Sequence, residues 1–299
     1  MMKQLIMITL LSVCYMQGSL GGYAIFDYSN ASGNDGFDLK RAYLSYSSDL
    51  SDELFFKMRF DVGRHADDRL TTYLKNAYLD YKCDNGDKLS IGLIGTNSFG
   101  AQEKNWGYRF IEKSVVDKYG MTNTADFGIG YSKTFGKVKT SMQLLNGEGF
   151  KKSDEDGKQS LYLSVLYGES RLDKNDGMNL GFVMNNNPQS DGTVNNLVGL
   201  FGGWASNGLR LGLEHNQFEV ELSDLTEEAT SFYLNYDLND NWDIFVRHDL
   251  NDLNVDDDVD AVDLTIVGGV WNVTNGLMVA PNVYLDDINT YRLTCMFKY

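Results

Sequence analysis

The sequence alternates apolar and polar residues along most of its length, and this alternation restricts its fold more than any other feature. In Leu54–Val62 every second residue is apolar, and Lys57, Arg59 and Asp61 lie between these apolar positions. Successive side chains of a β-strand point to opposite faces, so a period of two predicts strands with one apolar face. The same pattern recurs up to Tyr299, which indicates an all-β chain with no room for a second domain.

About 16 such runs are present, an even number that is typical of the antiparallel transmembrane β-barrels of bacterial outer membranes. The predicted strands are 22–28, 37–47, 53–62, 73–82, 88–94, 126–134, 137–146, 159–168, 177–186, 196–205, 208–217, 229–237, 241–249, 261–271, 276–284 and 289–299.

The connections between these runs alternate in length. Short ones such as 83–87 and 238–240 contain the Asn-Gly or Asn-Asp pairs of hairpin turns. Long ones are predicted at 63–72, 95–125, 147–158, 187–195, 218–228 and 250–260. Short periplasmic turns and long outer loops are the asymmetry of a membrane barrel. Two connections depart from it, because 169–176 is long for a turn and 285–288 is short for an outer loop.

The longest connection, 95–124, is rich in aromatic residues, including Trp106, Tyr108 and Phe110. Long connections without strands are usually functional or disordered, and aromatic side chains need a surface to pack on. We therefore expect this connection to fold into the barrel and narrow a pore, with a short helix over 108–114. It should lie against the wall that carries Arg41, Lys57 and Arg59.

The first residues predict a secretory leader over residues 1–21. Lys3 supplies the positive charge, Leu5–Leu11 is a short apolar segment, and Ser19–Gly21 has the small residues of a cleavage site. The apolar segment is too short to span a bilayer as a helix. A lipidation site at Cys14 is the alternative reading. Residues 22–299 are then one outer-membrane barrel domain.

A soluble β-sandwich or lectin-like domain is the alternative fold, since it also alternates and also needs a leader. The membrane barrel is favoured because the alternation is sustained end to end, Tyr and Phe cluster at strand ends, and the chain ends on an aromatic in a strand.

Several function classes find little support in the sequence. The formal net charge of −16 argues against non-specific nucleic-acid binding. Cys83 and Cys295 are too far apart in sequence to suggest a disulfide framework. No serine lies in a nucleophile-elbow motif, so we expect neither an enzyme nor a cofactor. The acidic run 252–260 suggests a solvated loop, with a divalent-ion site as the alternative.

The alternation also assigns faces, because a charged side chain on the lipid face at mid-depth costs about 2–4 kcal/mol. Lys75 is the exception, since it falls on the outward face and is expected at the outer rim. The predicted pore-lining and constriction residues are Arg41, Lys57, Arg59, Asp61, Asp80, Lys104, Arg109, Lys113, Lys139, Arg210 and Arg247.

Short segments in a fixed order resemble the phosphate-selective porin (O/P-like) family, most clearly over residues 21–150. The family's opening hairpin, constriction loop and following strand resemble Phe37–Tyr46, Leu54–Asp61, Lys75–Tyr81, Leu89–Leu93, Phe110–Ser114, Tyr119–Gly120 and Asn146–Gly149. The resemblance implies a 16-stranded, usually trimeric porin of the bacterial outer membrane. Family members that select phosphate carry arginine and lysine ladders, whereas this chain is acidic overall.

We therefore expect passive diffusion of small hydrophilic solutes and ions through a homotrimer embedded in outer-membrane lipid. The inward wall charges are mainly basic, and charges at the narrowest section set selectivity, so a weak anion preference is expected. The alternative is a barrel with a plugged lumen and a structural, adhesive or enzymatic role.

Overall fold

Sixteen antiparallel strands form one closed barrel in which each strand pairs with its neighbours in sequence. The computed structural model describes residues 18–31, 34–64, 68–154, 156–255 and 261–299. The first strand closes the barrel by pairing with the last, from Tyr23 opposite Lys298 to Ala31 opposite Thr290. Every strand thus has two hydrogen-bonded neighbours, as a sheet that crosses a membrane requires.

The elements follow the predicted order. The strands are β1 (Ser19–Ala31), β2 (Asn34–Asp49), β3 (Leu54–Arg64), β4 (Leu70–Lys82), β5 (Lys88–Gly95), β6 (Ala125–Phe135), β7 (Val138–Leu145), β8 (Ser160–Gly168), β9 (Gly177–Pro188), β10 (Val194–Ser206), β11 (Leu209–Val220), β12 (Leu225–Asn239), β13 (Trp242–Asp252), β14 (Val262–Thr274), β15 (Leu277–Leu285) and β16 (Thr290–Lys298). Two short helices, α1 (Gly100–Trp106) and α2 (Val115–Lys118), lie between β5 and β6, and a 3₁₀ turn spans Glu221–Ser223.

The predicted sixteen-stranded barrel is confirmed, and the differences are at strand ends. β2 and β12 extend further at their outer ends than the alternation indicates, because their first residues, from Asn34 and Leu225, pair with neighbouring strands even where the apolar pattern stops. Ser19–Gly21, which the sequence assigns to the leader, lie in β1. Residues 1–17, which hold the rest of that predicted leader, lie outside the described residues, so the leader stays a prediction.

The two faces of the wall differ sharply in chemistry. On β11 the side chain of Leu213 is 52% exposed, whereas the next residue, Glu214, is fully buried. In a closed barrel the exposed apolar side chains form the outer face, and the buried polar ones form the inner face. Trp242 and Trp271 stack on the outer face near the short turns, with ring centroids 5.9 Å apart, as in an interfacial aromatic girdle.

Two β-bulges add lysines to the inner face. The register between β3 and β4 shifts beside Arg59, so Lys75 is left without a cross-strand partner. Lys75 therefore turns inward and is only 6% exposed, and its predicted position at the outer rim is wrong. A second shift, between β1 and β2, does the same for Lys40. One extra residue in a strand reverses the facing that alternation assigns.

Within the described ranges, no helix is both long and apolar enough to cross a membrane.

Candidate functional site

The β5–β6 loop, residues 96–124, is the candidate functional element. Helix α1 ends at Gly107, which adopts φ +83° and donates its N–H to the carbonyl of Glu103. This left-handed residue turns the chain, and Ile111 N–H then bonds to Tyr108 O at 2.9 Å. The predicted helix over 108–114 is therefore wrong, because that segment is a turn between α1 and α2.

Aromatic side chains hold the first half of the loop. Trp106 is fully buried and lies 5.4 Å from the Tyr233 ring and 5.6 Å from the Phe245 ring. Each such ring pair contributes about 0.5–1.5 kcal/mol beyond the area that it buries. Phe110 and Ile111 continue this cluster towards the inner faces of β14–β16 and β1.

A smaller apolar cluster holds the second half of the loop. Val115 and Val116 of α2 are fully buried, and they pack with Met121 against Leu197 of β10 and Ala229 of β12. The loop is thus fixed to the wall at two separate places.

Charged side chains anchor the loop between these clusters. Arg247 is fully buried, binds both oxygens of Asp249 at 2.7 and 3.0 Å, and donates to the carbonyl of Lys113 at 2.6 Å. Lys118 reaches the same Asp249 at 3.1 Å. The N–H of Val115 donates to the buried carboxylate of Glu214 at 3.2 Å. A bidentate Arg–carboxylate pair that also binds the backbone fixes the geometry in two directions.

The loop therefore packs against the inner face of β9–β16, which we call the anchor wall. The prediction that it lies against the wall carrying Arg41, Lys57 and Arg59 is wrong, although Lys40 reaches across from that side and donates to the carbonyl of Ile111 at 3.3 Å. The physical reason is chemical matching, because the anchor wall offers apolar surface from Tyr233, Phe245 and Ile266, whereas the inner face of β2–β4 is charged.

The inner face of β2–β4, which we call the basic wall, is organised around Tyr43. The Tyr43 hydroxyl lies 3.1 Å from Lys75 Nζ and 3.2 Å from Arg41 Nη1. The guanidinium of Arg59 lies 5.1 Å from the Tyr43 ring centroid, a cation–π distance. Asp61 is the acidic partner, 3.4 Å from Arg41 and 3.6 Å from Lys75. Three cations thus surround one buried tyrosine.

Two predicted pore-lining residues, Lys57 and Asp80, lie nearer the short turns and do not join the group around Tyr43. Lys57 lies opposite Tyr78 in the β3–β4 register. Asp80 is buried and binds Lys88 at 3.0 Å and Ser90 at 2.5 Å. Lys88 of β5 therefore compensates the negative charge of Asp80 on the neighbouring strand β4.

The loop carries its own charge network on the side that faces the basic wall. Arg109 lies 2.5 Å from Glu103 and 3.2 Å from Asp117, and Lys113 lies 3.4 Å from Asp117. Burial raises the pKa of the Glu103 carboxyl, and the attraction of Arg109 opposes that rise.

Two cavities lie between the loop and the basic wall. One, of about 90 Å³, is lined by Lys40 and Arg109, and the other, of about 370 Å³, is lined by Lys75 and Lys151. Arg41 and Lys113 line both. The charged side chains from the two sides therefore meet around the same space.

The remaining predicted site residues lie elsewhere. Lys104 is exposed on α1, and Lys139 donates to Ser170 in the β8–β9 turn. Arg210 donates to backbone carbonyls of the loop and of that turn, and Arg247 is covered by the loop. Arg210 and Arg247 are thus anchors of the loop, and the placement of Arg247 does not fit a pore-lining role.

Sequence reasoning missed three lysines near the cavities. Lys40 and Lys75 are turned inward by bulges, which alternation cannot show. Lys151, in the β7–β8 loop, lies over the Tyr73 ring at 4.6 Å from its centroid. The sequence signal that could have pointed to Lys151 is the neighbouring segment Asn146–Gly149, because it resembles a family motif.

Among the described residues, the carboxylates of Glu148, Asp154 and Asp156 form a group of potential cation ligands, all within 4.8 Å of one another. They belong to the β7–β8 loop and are partly or fully exposed. Most of the acidic run 252–260, from Asp256 onward, lies outside the described residues.

Comparison with protein-family models matches residues 15–197, more than half of the chain, to the family described as phosphate-selective porin O and P. No curated protein matches the sequence. Among solved structures, Salmonella typhi OmpF in complex with daunomycin is 9% identical, with 95% of this chain and 98% of that chain covered and a TM-score of 0.70.

Two other solved structures share the fold at similarly low identity. An anion-selective porin from Comamonas acidovorans is 12% identical, covering 95% of this chain and 99% of that chain at a TM-score of 0.67. In-vitro folded OmpT of Vibrio cholerae, described as a trimer form, is 14% identical with the same coverage and a TM-score of 0.65.

The Arg247 anchor gives a testable expectation. Arg247→Ala leaves Asp249 buried with a weaker set of partners, so the free energy of unfolding in lipid vesicles should fall by about 3–5 kcal/mol. External protease should then cut within residues 96–124. Arg59→Ala is the control on the basic wall, and it should cost about 1 kcal/mol or less. Equal losses in both variants, with the loop uncut, would contradict the anchoring role.

Proposed function

Because the chain belongs to the phosphate-selective porin O and P family, we propose that it conducts small hydrophilic solutes by passive diffusion, with a weak preference for anions. It is a porin of the bacterial outer membrane. Membership of this family favours a channel over an enzyme.

The position of the loop supports a constriction. The loop packs against the anchor wall, and the two cavities lie between it and the basic wall. Arg41 and Lys113 line both cavities. We infer that solutes pass between the loop and the basic wall, and that the loop narrows this passage. The observation that carries the proposal is this one-sided packing, since a loop centred in the barrel would leave no such space.

The charges around the passage support an anion preference. Three cations, Arg41, Arg59 and Lys75, surround Tyr43, and Asp61 is the acidic partner of Arg41 and Lys75. Lys40 is paired with Asp27 of β1 at 3.1 Å. Asp80 is compensated by Lys88, so the balance beside Tyr43 is basic. Low-dielectric walls focus the field of the charges that line a pore. The preference is weak because Glu103 and Asp117 of the loop oppose it, as does the net charge of −16.

Selectivity is measured as the reversal potential of single channels in a salt gradient. Replacing Arg41, Lys57 and Arg59 together by Gln removes three cations from the basic wall, and the anion preference should disappear or reverse. The control removes three exposed cations away from the loop, with Arg64, Lys137 and Lys298 changed to Gln. It should retain the wild-type reversal potential.

A clear cation preference in the wild type, or an unchanged reversal potential in the first variant, would overturn the anion assignment. A folded barrel that gives no conductance steps would instead favour the plugged lumen.

We also propose a homotrimer in outer-membrane lipid. The support is a shared fold with a solved OmpT described as a trimer form, together with an outer face of exposed apolar residues such as Leu180 and Leu200. Native mass spectrometry of protein extracted from membranes should show three copies per particle. A spectrum of monomers alone, under conditions that preserve another trimeric porin, would exclude this assembly.

A further inference from the structure

The β8–β9 turn, residues 169–176, enters the barrel from the end that carries the short turns. Leu172 at its tip is 2% exposed, although the residues after it, Lys174 to Asp176, are exposed. A periplasmic turn in a barrel needs only a few residues, and this one is long. Because of this extra length, the apolar side chain of Leu172 lies inside the barrel.

The tip of this turn meets helix α1 of the loop on the inner face of β10. Gly203 marks the place, because a Cβ on it would lie 2.8 Å from Leu172 Cδ1 and 3.0 Å from Asn105 Nδ2. Only a residue without a side chain leaves room for both. Leu172 and α1 therefore share one shallow depression in the anchor wall.

Arg210 of β11 joins the two segments. One guanidinium nitrogen lies 3.4 Å from the carbonyl of Leu172, and the other lies 3.3 Å from the carbonyl of Trp106. The same group lies 5.3 Å from the centroid of the Tyr108 ring. A planar guanidinium can donate to two acceptors at once, which a lysine ammonium does less well. Gly107 keeps this space open, because a Cβ there would lie 2.4 Å from Arg210 Nη2.

Asn179 of β9 forms a second, independent bridge. It exchanges two hydrogen bonds with the amide of Asn105 in α1, both 2.8 Å long. It also donates to the carbonyl of Glu169 in the turn at 2.6 Å. The turn is thus connected to α1 through the shared depression at Gly203 and through two polar bridges on the same part of the wall.

We propose that the β8–β9 turn is a prop that holds helix α1 from the periplasmic side, with Leu172 and Arg210 as its positioning residues. This inference rests on the proposed function, in which the loop sets the width of the passage. The loop carries seven charged residues, Glu103, Lys104, Arg109, Glu112, Lys113, Asp117 and Lys118. A voltage across the membrane therefore exerts force on the loop, and the prop resists its displacement.

Hydrogen exchange tests the prop without relying on conduction. Leu172→Ala should speed exchange of the amides of residues 100–108 by roughly tenfold or more, because the local opening free energy falls. Amides of 115–118, which pack on β10 and β12 away from the turn, should be unchanged. The control replaces the exposed Lys174 of the same turn by Ala, and it should exchange as the wild type does.

Single-channel recording gives the second readout. Arg210→Lys keeps the positive charge but loses the planar guanidinium that donates to both carbonyls. The channel should therefore close at lower voltage and show a noisier open state, while its reversal potential stays unchanged. Arg210→Gln should show the same closure and noise and, in addition, a shifted reversal potential. This separates a positioning role from a purely electrostatic one.

Wild-type exchange in Leu172→Ala, or wild-type closing voltage and noise in Arg210→Lys, would overturn the prop. If the wild type gives no conductance at all, the proposed function fails, and the exchange result still decides the prop. If Leu172→Ala does not fold, exchange in Arg210→Lys takes its place, with the same expected loss of protection over residues 100–108.

Discussion

The pairing of β1 with β16 is the constraint on which the rest of the structure depends. An unpaired backbone group in hydrocarbon costs several kcal/mol, so a sheet in a membrane has to close. Closure then divides every strand into an outer face for lipid and an inner face around a limited space. A loop of 29 residues between β5 and β6 has to be accommodated by that space, and its two apolar clusters against the wall are the result.

The inner wall offers two kinds of surface, and the difference between them positions the loop. Tyr233, Phe245 and Ile266 give Trp106 and its neighbours an apolar surface, while Arg247 and Asp249 bind the backbone and charges of the loop. The opposite wall is lined by cations around Tyr43 and gives an aromatic loop nothing to pack on. The same division therefore fixes the loop on one side and leaves the two cavities between it and the cationic wall on the other.

The sequence predicts the barrel well because each face repeats every two residues, so sixteen strands, their order and the closed sheet could all be anticipated. It fails at Lys40 and Lys75, because a bulge inserts one residue and reverses facing without changing composition. It also places a helix over 108–114, where the left-handed cap at Gly107 ends α1 and begins a turn. The choice of wall depends on Trp106 meeting Tyr233 and Phe245, residues more than a hundred positions away, which no local pattern records.

Thiol accessibility tests most directly whether the loop is fixed to one wall and exposed on its other side. Single variants Lys113→Cys and Val115→Cys would be made with Cys83 and Cys295 replaced by Ser. The Lys113 side chain is 36% exposed and lines both cavities, whereas Val115 is fully buried. A hydrophilic thiol reagent should therefore react with Lys113→Cys and reduce the single-channel conductance, and should leave Val115→Cys unmodified. Equal reaction at both positions, or modification at position 113 without any change in current, would contradict the account.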